Sequence, residues 1–317
     1  MKSFYKILIT CTLALISIDG FSQYFNKLNA WKYYRREFSA SFGMGNYLGD
    51  LGGTDGPGIK FFLMDLEMST FKRCFGGSYR YHIRRNMSLR ATGYYGQIEG
   101  SDALTGHAER SYRNLDFQSK VYEAAVLYEC YFLRNKPGHL YKIKNAKGQK
   151  PQRFDLFVFA GVGGFWFNPM SGGVPLKPLR TEGQGLPGGP KPYSRLQICF
   201  PGGFGANMLI TNTLKIGFEG NYRLTMTDYL DDVSTFYYDN AKLRAAYGDA
   251  TANMADKSSG ANPNWTAEGA IRGNPKNDDA YMSGMLTLTY IWKKSVIKPT
   301  RQGGDHPFIH HKKRSKF

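Results

Sequence analysis

Apolar and polar residues alternate along eight separate stretches of this chain, which is the period-2 pattern of half-buried β-strands. The stretch from Leu214 to Leu224 is the clearest, because almost every second residue is apolar and the residues between are mostly polar or charged. The pattern predicts strands at Glu37–Met44, Cys74–Ile83, Met87–Gly96, Lys120–Phe132, Phe154–Phe167, Ser194–Ala206, Leu214–Leu224 and Tyr281–Trp292.

The two faces of these strands differ in a way that indicates a membrane barrel. One face is almost uncharged and rich in aromatic residues, and the other carries charges of both signs. A soluble β-sandwich also alternates, but its polar face would point outward. Most stretches reach the roughly 9–11 residues that a strand needs to cross a bilayer. We therefore predict an all-β fold, an eight-stranded antiparallel transmembrane β-barrel of an outer membrane.

The lengths of the connectors predict the orientation of this barrel. Outer-membrane barrels have short periplasmic turns and long outer loops. Tight turns are predicted at Arg84–Asn86 and Thr211–Thr213, and long connectors begin near Asn46, Gln97, Asn168 and Thr225. The first strand would then start on the periplasmic side.

The amino terminus has the features of a secretory signal peptide. Lys2 and Lys6 are followed by the apolar run from Ile7 to Ile18, and small residues precede a cleavage site after Ser22. The apolar run is too short to span a bilayer as a helix. We predict a signal peptide over residues 1–22, a barrel over 23–292 and a basic periplasmic tail over 293–317, in a protein of the Gram-negative outer membrane.

The charged residues on the polar strand faces are predicted to lie inside the barrel. An eight-stranded barrel is just wide enough for its own side chains to fill, which argues against a diffusion pore. Unpaired charges in such a lumen would be costly, so we expect a structural ion-pair network, with a functional relay as the alternative. The predicted network comprises Arg80, Arg90, Glu123, Glu129, Lys215, Glu219 and Arg223.

Motifs for catalysis or cofactor binding are not found in the sequence. It contains neither a Cys-x-x-Cys pair nor a phosphate-binding loop, and His82 beside Ser78 has no evident triad partner. We therefore predict a protein that is not an enzyme and has neither a cofactor nor a small-molecule substrate. A lipid-modifying barrel enzyme is the alternative.

The last long loop contains the weak candidates for a metal site, and it also contains a predicted helix. Asp228, Asp231 and Asp232 could bind a divalent ion, but they lack the ligand spacing of a calcium loop. Asn240–Ala252 is predicted to form a short helix capped by Asn240. After removal of the signal peptide, Cys74, Cys130 and Cys199 remain, so at most one internal disulfide can form.

The formal charge of +17 is unevenly distributed along the chain. The connector 134–153 has seven basic residues and no acid, and the tail 293–317 has eight basic residues and one acid. Both segments are predicted to be periplasmic, and their convergence favours an acidic protein or polymer as partner. Nucleic acid is excluded by export. The predicted partner-binding residues are Lys142, Lys144, Lys147, Lys150, Arg153, Lys312, Lys313, Arg314 and Lys316.

Several strings of residues resemble a known family, the PorG-like outer-membrane barrels of the type IX secretion system of Bacteroidetes. Two of these strings are specific, Thr181-Glu182-Gly183-Gln184-Gly185 and the stretch Thr227–Ser234, which includes Asp228, Tyr229, Asp231 and Asp232. The other matching strings are Asn46–Asp50 with Gly49 and Asp50, Tyr79–Tyr81, Arg113–Leu115, Phe159–Gly163 with Phe167–Pro169, and Leu176–Leu179.

The resemblance implies a non-enzymatic barrel that joins a periplasmic ring, formed by a lipoprotein and its partner protein, to the outer membrane and its lipid. Such a barrel supports protein export and, in gliding species, motility. The alternative is a free-standing barrel with a structural or adhesive function.

Overall fold

A computed structural model describes residues 30–51, 70–105, 107–135, 153–211, 213–275 and 277–292. The predicted signal peptide, most of the connector 134–153 and the basic tail lie outside these ranges. The chain divides into two units, Arg35–Lys293 and a unit made of the two termini. Within the terminal unit, the described residues include a single 3₁₀ turn at Ala30–Tyr33.

Eight antiparallel strands form one closed sheet, which confirms the predicted fold class. Each strand pairs with the next along the chain, and the first pairs with the last over Arg36–Leu48, which closes the barrel. A two-residue strand, Val174–Pro175, adds to the end of the fifth strand. The barrel strands are β1 (Arg36–Leu48), β2 (Lys72–Arg84), β3 (Met87–Ser101), β4 (Asp116–Leu133), β5 (Phe154–Ser171), β6 (Leu196–Leu209), β7 (Leu214–Thr225) and β8 (Ala280–Trp292).

Several strands extend beyond their predicted ends, mainly on the side of the long loops. β3 continues to Ser101 and β4 begins at Asp116, so the loop between them is shorter than the sequence predicted. The backbone ladder continues past the membrane-spanning part, where Ile98 and Phe117 pack in a buried cluster. With 18 residues each, β4 and β5 exceed the roughly 9–11 residues that cross a bilayer.

The outward face of the barrel is apolar and its lumen is polar. Outward positions on the strands carry exposed large hydrophobic side chains, including Phe42, Val126, Phe204 and Leu286. Between the two ends of the barrel, the charged residues of the strands point inward and are buried, including Arg80, Arg90, Glu129 and Arg223. This arrangement is the reverse of a soluble sandwich, whose outward face is polar. The exterior is therefore that of a transmembrane barrel.

Three α-helices lie in the long loops of the described chain. They are α1 (Ala108–Arg113), α2 (Asn240–Tyr247) and α3 (Asp249–Ala255). The prediction of one helix capped by Asn240 is wrong in two respects. The helical stretch is interrupted at Gly248, whose φ is 91°, and the cap is Asp239, whose side chain accepts hydrogen bonds from the amides of Ala241 and Lys242. Within the described ranges, no α-helix has the length and apolar character needed to cross a bilayer.

Candidate functional site

The structure brings the seven charged residues predicted for the lumen into two layers of ion pairs, all of them buried. In the layer nearer the short turns, Arg80 donates through Nε and Nη2 to Glu129 at 2.6 and 3.0 Å, and through Nη1 to Glu37 at 3.0 Å. Arg90 bridges Glu129 at 2.9 Å and Glu219 at 2.6 Å. This layer thereby joins side chains from five strands across the lumen.

Three members of this layer were missed from the sequence: Glu37, Asp155 and His82. The Lys215 ammonium lies 2.8 Å from a carboxylate oxygen of Glu37 and 2.8 Å from one of Asp155. His82 Nε2 lies 3.0 Å from Glu37. The signal for Glu37 was its direct pairing with Arg80 across β1 and β2, which requires the register of the two strands.

The second layer lies nearer the long loops and is built around Arg223. Its Nε donates to Glu123 at 2.6 Å, and its Nη1 donates to Ser283 at 2.8 Å. The Tyr281 hydroxyl donates to the same Glu123 oxygen at 2.7 Å. The guanidinium also stacks over the Tyr94 ring, with its carbon 4.1 Å from the ring centroid. Both charges of the pair thereby have partners within the lumen.

Aromatic side chains complete the packing of the lumen. β5 was predicted to be apolar on both faces, and its inward residues include Phe157 and Phe159. The guanidinium of Arg90 lies 4.7 Å from the Phe159 centroid, and that of Arg80 lies 5.2 Å from the Phe157 centroid. A polar cavity of about 30 Å³ borders both layers, with Ser78 and Asn221 in its lining. It has room for about two water molecules, so this part of the lumen is filled rather than open.

The residues of the two specific sequence strings meet at the loop end of the barrel, around the buried carboxylate of Glu182. One carboxylate oxygen accepts from the amides of Ser234 and Thr235 at 2.8 and 3.2 Å. The other accepts from the hydroxyls of Tyr229 and Thr235 at 3.2 and 2.8 Å. Arg272 donates to Glu182 at 2.9 Å. We refer to this buried assembly, residues 181–185 and 227–235 with Arg272 and Asp279, as the loop cap.

Backbone geometry explains why a glycine, Gly183, follows Glu182 in the string 181–185. Gly183 has a φ of 71°, in the left-handed region, and a Cβ there would lie 2.6 Å from the Tyr238 ring. The following residue, Gln184, is buried, and its Oε1 accepts from the Glu182 amide at 3.2 Å. The next glycine, Gly185, has a φ of 89°. These contacts fix the backbone on both sides of Glu182.

Two of the other matching strings, Asn46–Asp50 and Arg113–Leu115, reach the same end of the barrel. Arg113 donates through Nε and Nη2 to Asp102 at 2.7 and 2.8 Å, and its guanidinium also donates to the carbonyls of Asp50 and Arg272. Gly49 leaves no room for a side chain, because a Cβ would lie 1.9 Å from the Tyr47 hydroxyl. Four of the strings that carry the family resemblance, those containing Asp50, Arg113, Glu182 and Asp232, are therefore neighbours in space.

The three aspartates considered for metal binding have separate surroundings in the loop cap. Asp232 accepts from the hydroxyls of Thr181 and Tyr193 at 2.6 Å each. The Tyr47 hydroxyl lies 2.7 Å from Asp231 and 2.7 Å from Asp279. Asp228 lies in neither group, with 8% of its surface exposed. Among the described residues, no three His, Cys, Asp or Glu side chains are grouped to hold a metal ion.

Burial raises the pKa of four aspartates in the loop cap. The pKa of Asp228 rises to about 9 and that of Asp232 to about 6, in both cases mainly through loss of solvation. Desolvation and neighbouring carboxylates raise the pKa of Asp231 and Asp279 well above the ordinary range. A hydroxyl has a single proton to donate, so the double contact of Tyr47 requires a proton on one of these carboxyls.

We expect the loop cap to loosen as the pH rises. A carboxyl whose pKa is raised by folding contributes stability below its unfolded pKa, and this stability is lost as the pH passes the folded value. For Asp232 this window runs from 3.8 to about 6, and Asp228 extends it to about 9. Amide hydrogen exchange of residues 227–235, corrected for intrinsic rates, should show greater protection at pH 5 than at pH 8. The Asp232→Asn variant should have a smaller pH dependence, and protection that grows with pH would contradict this assignment.

The short-turn end of the barrel exposes basic residues. Arg36, Arg84 and Arg153 are exposed there, and Arg85 is half-buried. The carboxylates of Glu37, Glu129 and Asp155 lie near the same end but are buried in the ion-pair layer. We refer to these four arginines as the basic rim. Arg153 is one of the predicted partner-binding residues, and the other eight, Lys142, Lys144, Lys147, Lys150, Lys312, Lys313, Arg314 and Lys316, lie outside the described residues.

The cysteines and His82 have no arrangement that points to chemistry. Cys74, Cys130 and Cys199 are free thiols. His82 is buried against Glu37 in the ion-pair layer, and its ring lies edge-on to Tyr131 with centroids 5.7 Å apart.

Comparison with known proteins identifies similar folds at low sequence identity. Neither the family models nor the curated proteins include a match to this chain. Among solved structures, the attachment invasion locus protein Ail of Yersinia pestis is 11% identical, with a TM-score of 0.35, over 81% of this chain and 98% of Ail. Neisserial surface protein A is 7% identical, with a TM-score of 0.38, over 81% of this chain and 97% of that protein. The N-terminal β-barrel domain of Pseudomonas aeruginosa OprF is 10% identical, with a TM-score of 0.32, over 81% and 98% of the two chains.

Proposed function

We propose that this chain is a non-enzymatic outer-membrane barrel of a type IX secretion system, which anchors a periplasmic ring through its basic rim. The observation that carries the proposal is the separation of acidic from basic side chains at the short-turn end of the barrel. Carboxylates near the short-turn end are buried in the lumen, and arginines at the same end are exposed. Such a rim attracts an acidic protein surface. The proposed partners are the ring-forming lipoprotein and its partner protein.

The filled lumen supports action through the barrel ends. Two layers of ion pairs and inward aromatic side chains occupy the interior, so transport of a solute through this barrel would require breaking buried pairs. Breaking one such pair costs several kcal/mol. A barrel with a filled lumen acts through the surfaces at its two ends, where partner proteins bind. The family resemblance indicates the ring-forming lipoprotein and its partner protein as the partners at the basic rim.

Charge reversal on the basic rim tests this proposal. We expect the triple variant Arg84→Glu, Arg85→Glu, Arg153→Glu to insert normally and to retain roughly a tenth or less of the ring components that co-purify with the unaltered barrel. The matched control reverses three exposed charges in the loops, Lys191→Glu, Lys242→Glu and Arg244→Glu. Equal recovery of ring components with both variants would overturn the proposal.

The second candidate function is a free-standing structural or adhesive barrel. Exposed apolar side chains on the loop side favour it, since Phe236 and Ile271 form a β-bridge and both are exposed. Exposed apolar pairs of this kind are typical of interaction sites. In this case the double variant Phe236→Ser, Ile271→Ser would abolish surface attachment, and the rim variant would leave export unchanged.

A further inference from the structure

A row of polar side chains crosses the outer surface of β2, β3, β4 and β5 near the long loops. Its members lie on neighbouring strands: Gln97 pairs with Lys120, and Lys120 pairs with Asn168. Arg73 lies one residue beyond Cys74, which pairs with Gly96, so Arg73 stands at the level of Gln97. Arg195 lies just before β6, and its carbonyl oxygen accepts a hydrogen bond from the Phe167 amide. Arg195 is the last member of the row.

The position of this row coincides with a membrane boundary. On all four strands, every outward side chain between the row and the short-turn end is uncharged. That stretch is about as long as one membrane-spanning strand, roughly 9–11 residues. Directly below the row lie aromatic residues, with the rings of Tyr95 and Tyr122 5.0 Å apart and those of Tyr122 and Trp166 5.7 Å apart. Aromatic residues concentrate at membrane interfaces.

The cations of the row have no anionic partner in the described part of the chain. Neither Arg73, Lys120 nor Arg195 forms an ion pair with a described carboxylate, whereas nearby Lys72 and Lys257 are paired with Glu99 and Asp116. The acids next to the row are therefore already neutralised. An unpaired row of cations at the level of lipid headgroups has positive charge available for an anion.

One of these cations is held in place for binding. The Arg195 guanidinium stacks over the Trp166 ring at 5.4 Å from its centroid, and its Nη1 donates to Asn168 Oδ1 at 2.9 Å. Asn168 pairs with Lys120, which places the two cations on either side of it. An arginine fixed in this way keeps its remaining donors for a phosphate and loses little side-chain entropy on binding.

The cations are confined to one side of the barrel. On β1, β6, β7 and β8 the outward positions at the same end are apolar, including Met44, Leu196, Leu224 and Met282. A general attraction to headgroups would be served by cations around the whole circumference. The one-sided arrangement indicates a localised site.

We propose that Arg73, Lys120 and Arg195 bind the phosphate groups of a lipid in the leaflet on the long-loop side, with the acyl chains lying against the aromatic residues below. Adjacent strands are about 4.8 Å apart, so Arg73 lies about 10 Å along the row from Lys120. That separation suits a headgroup with two phosphates. The inference rests on the membrane location in the proposed function, but not on the secretion partner.

The experiment uses the purified full-length barrel in a neutral detergent, with diphosphorylated lipid A as probe and native mass spectrometry as readout. The variant Lys120→Gln, Arg195→Gln should retain roughly tenfold less lipid than the unaltered protein. The matched control Lys242→Gln, Arg244→Gln removes two exposed charges from α2 and should retain as much lipid as the unaltered protein. Heat-modifiable migration of each variant verifies that its barrel is folded.

Further arms of the experiment distinguish the source of the phosphate. Phosphatidylcholine, whose headgroup carries no net charge, should not compete, and inorganic phosphate at 10 mM should not displace the lipid. Equal lipid retention by the two double variants would overturn the proposal, and so would displacement by inorganic phosphate, which would indicate a site for a free anion. Because no ring component is present, the result is independent of the secretion partner.

Discussion

Replacement of Arg80 by alanine is expected to lower the free energy of unfolding of the barrel by about 3–5 kcal/mol. Arg80 has no exposed surface and bonds both Glu37 and Glu129. Its removal leaves two carboxylates buried with fewer cations to balance them. Urea unfolding of the protein in lipid vesicles, followed by tryptophan fluorescence, measures the loss.

A second substitution distinguishes the lost charge balance from lost packing. In the double variant Arg80→Ala, Glu129→Gln, one of the unbalanced charges is removed, so we expect recovery of part of the lost stability. The exposed Arg84→Ala is the matched control and should change stability by about 0.5 kcal/mol or less. If Arg80→Ala were no more destabilising than this control, the ion-pair layer would not stabilise the barrel.

Replacement of Glu182 by alanine is expected to open the loop cap and leave the barrel intact. The change removes the acceptor for two amides and two hydroxyls, and it leaves the buried Arg272 without its carboxylate partner. Removal of one partner of a buried pair costs about 3–5 kcal/mol. Limited proteolysis should therefore cut the loops within 172–195 and 226–279 much faster, and heat-modifiable migration should be unchanged.

The matched control for this prediction is Glu268→Ala, which removes an exposed carboxylate from the last long loop. Its cleavage rate should equal that of the unaltered protein. Glu182→Gln should lie between the two, because the amide oxygen still accepts hydrogen bonds while the charge opposite Arg272 is lost. Resistance of Glu182→Ala to proteolysis would show that the two sequence strings are held together by other contacts.

The fold could be predicted from the sequence because the outward positions of each strand carry no charge over the membrane-spanning stretch. The alternation fails where strands leave the lipid: on β3 and β4 the pairing continues through Ser101 and Asp116, but neither face there has to be apolar. The two strands were therefore predicted too short on the side of the long loops. In the last long loop, the helix cap is Asp239 because its side chain accepts hydrogen bonds from two helix amides. Aspartate and asparagine are both common helix caps, so the sequence alone does not distinguish Asp239 from Asn240.

The candidate sites were predictable to different degrees. Lumen charges share strand faces with other polar residues, so their inward direction followed from periodicity. Their partners did not, because Lys215 and Glu37 are 178 positions apart in the sequence and meet only when the barrel closes. Asp155 was missed because its strand is otherwise almost wholly apolar. The loop cap has no periodicity. Its aspartates were identified in the sequence only as weak candidates for metal binding, and the string around Glu182 only through the family resemblance.

The central proposal is that this barrel meets its partner at the basic rim, and site-specific photo-cross-linking in native membranes tests it most directly. A photoreactive amino acid is placed at Arg153 on the rim or at Lys242 on α2, and the adducts are identified by mass spectrometry. The proposal predicts adducts with a periplasmic ring component from position 153 and none from position 242. Ring adducts from position 242 together with none from position 153 would contradict it.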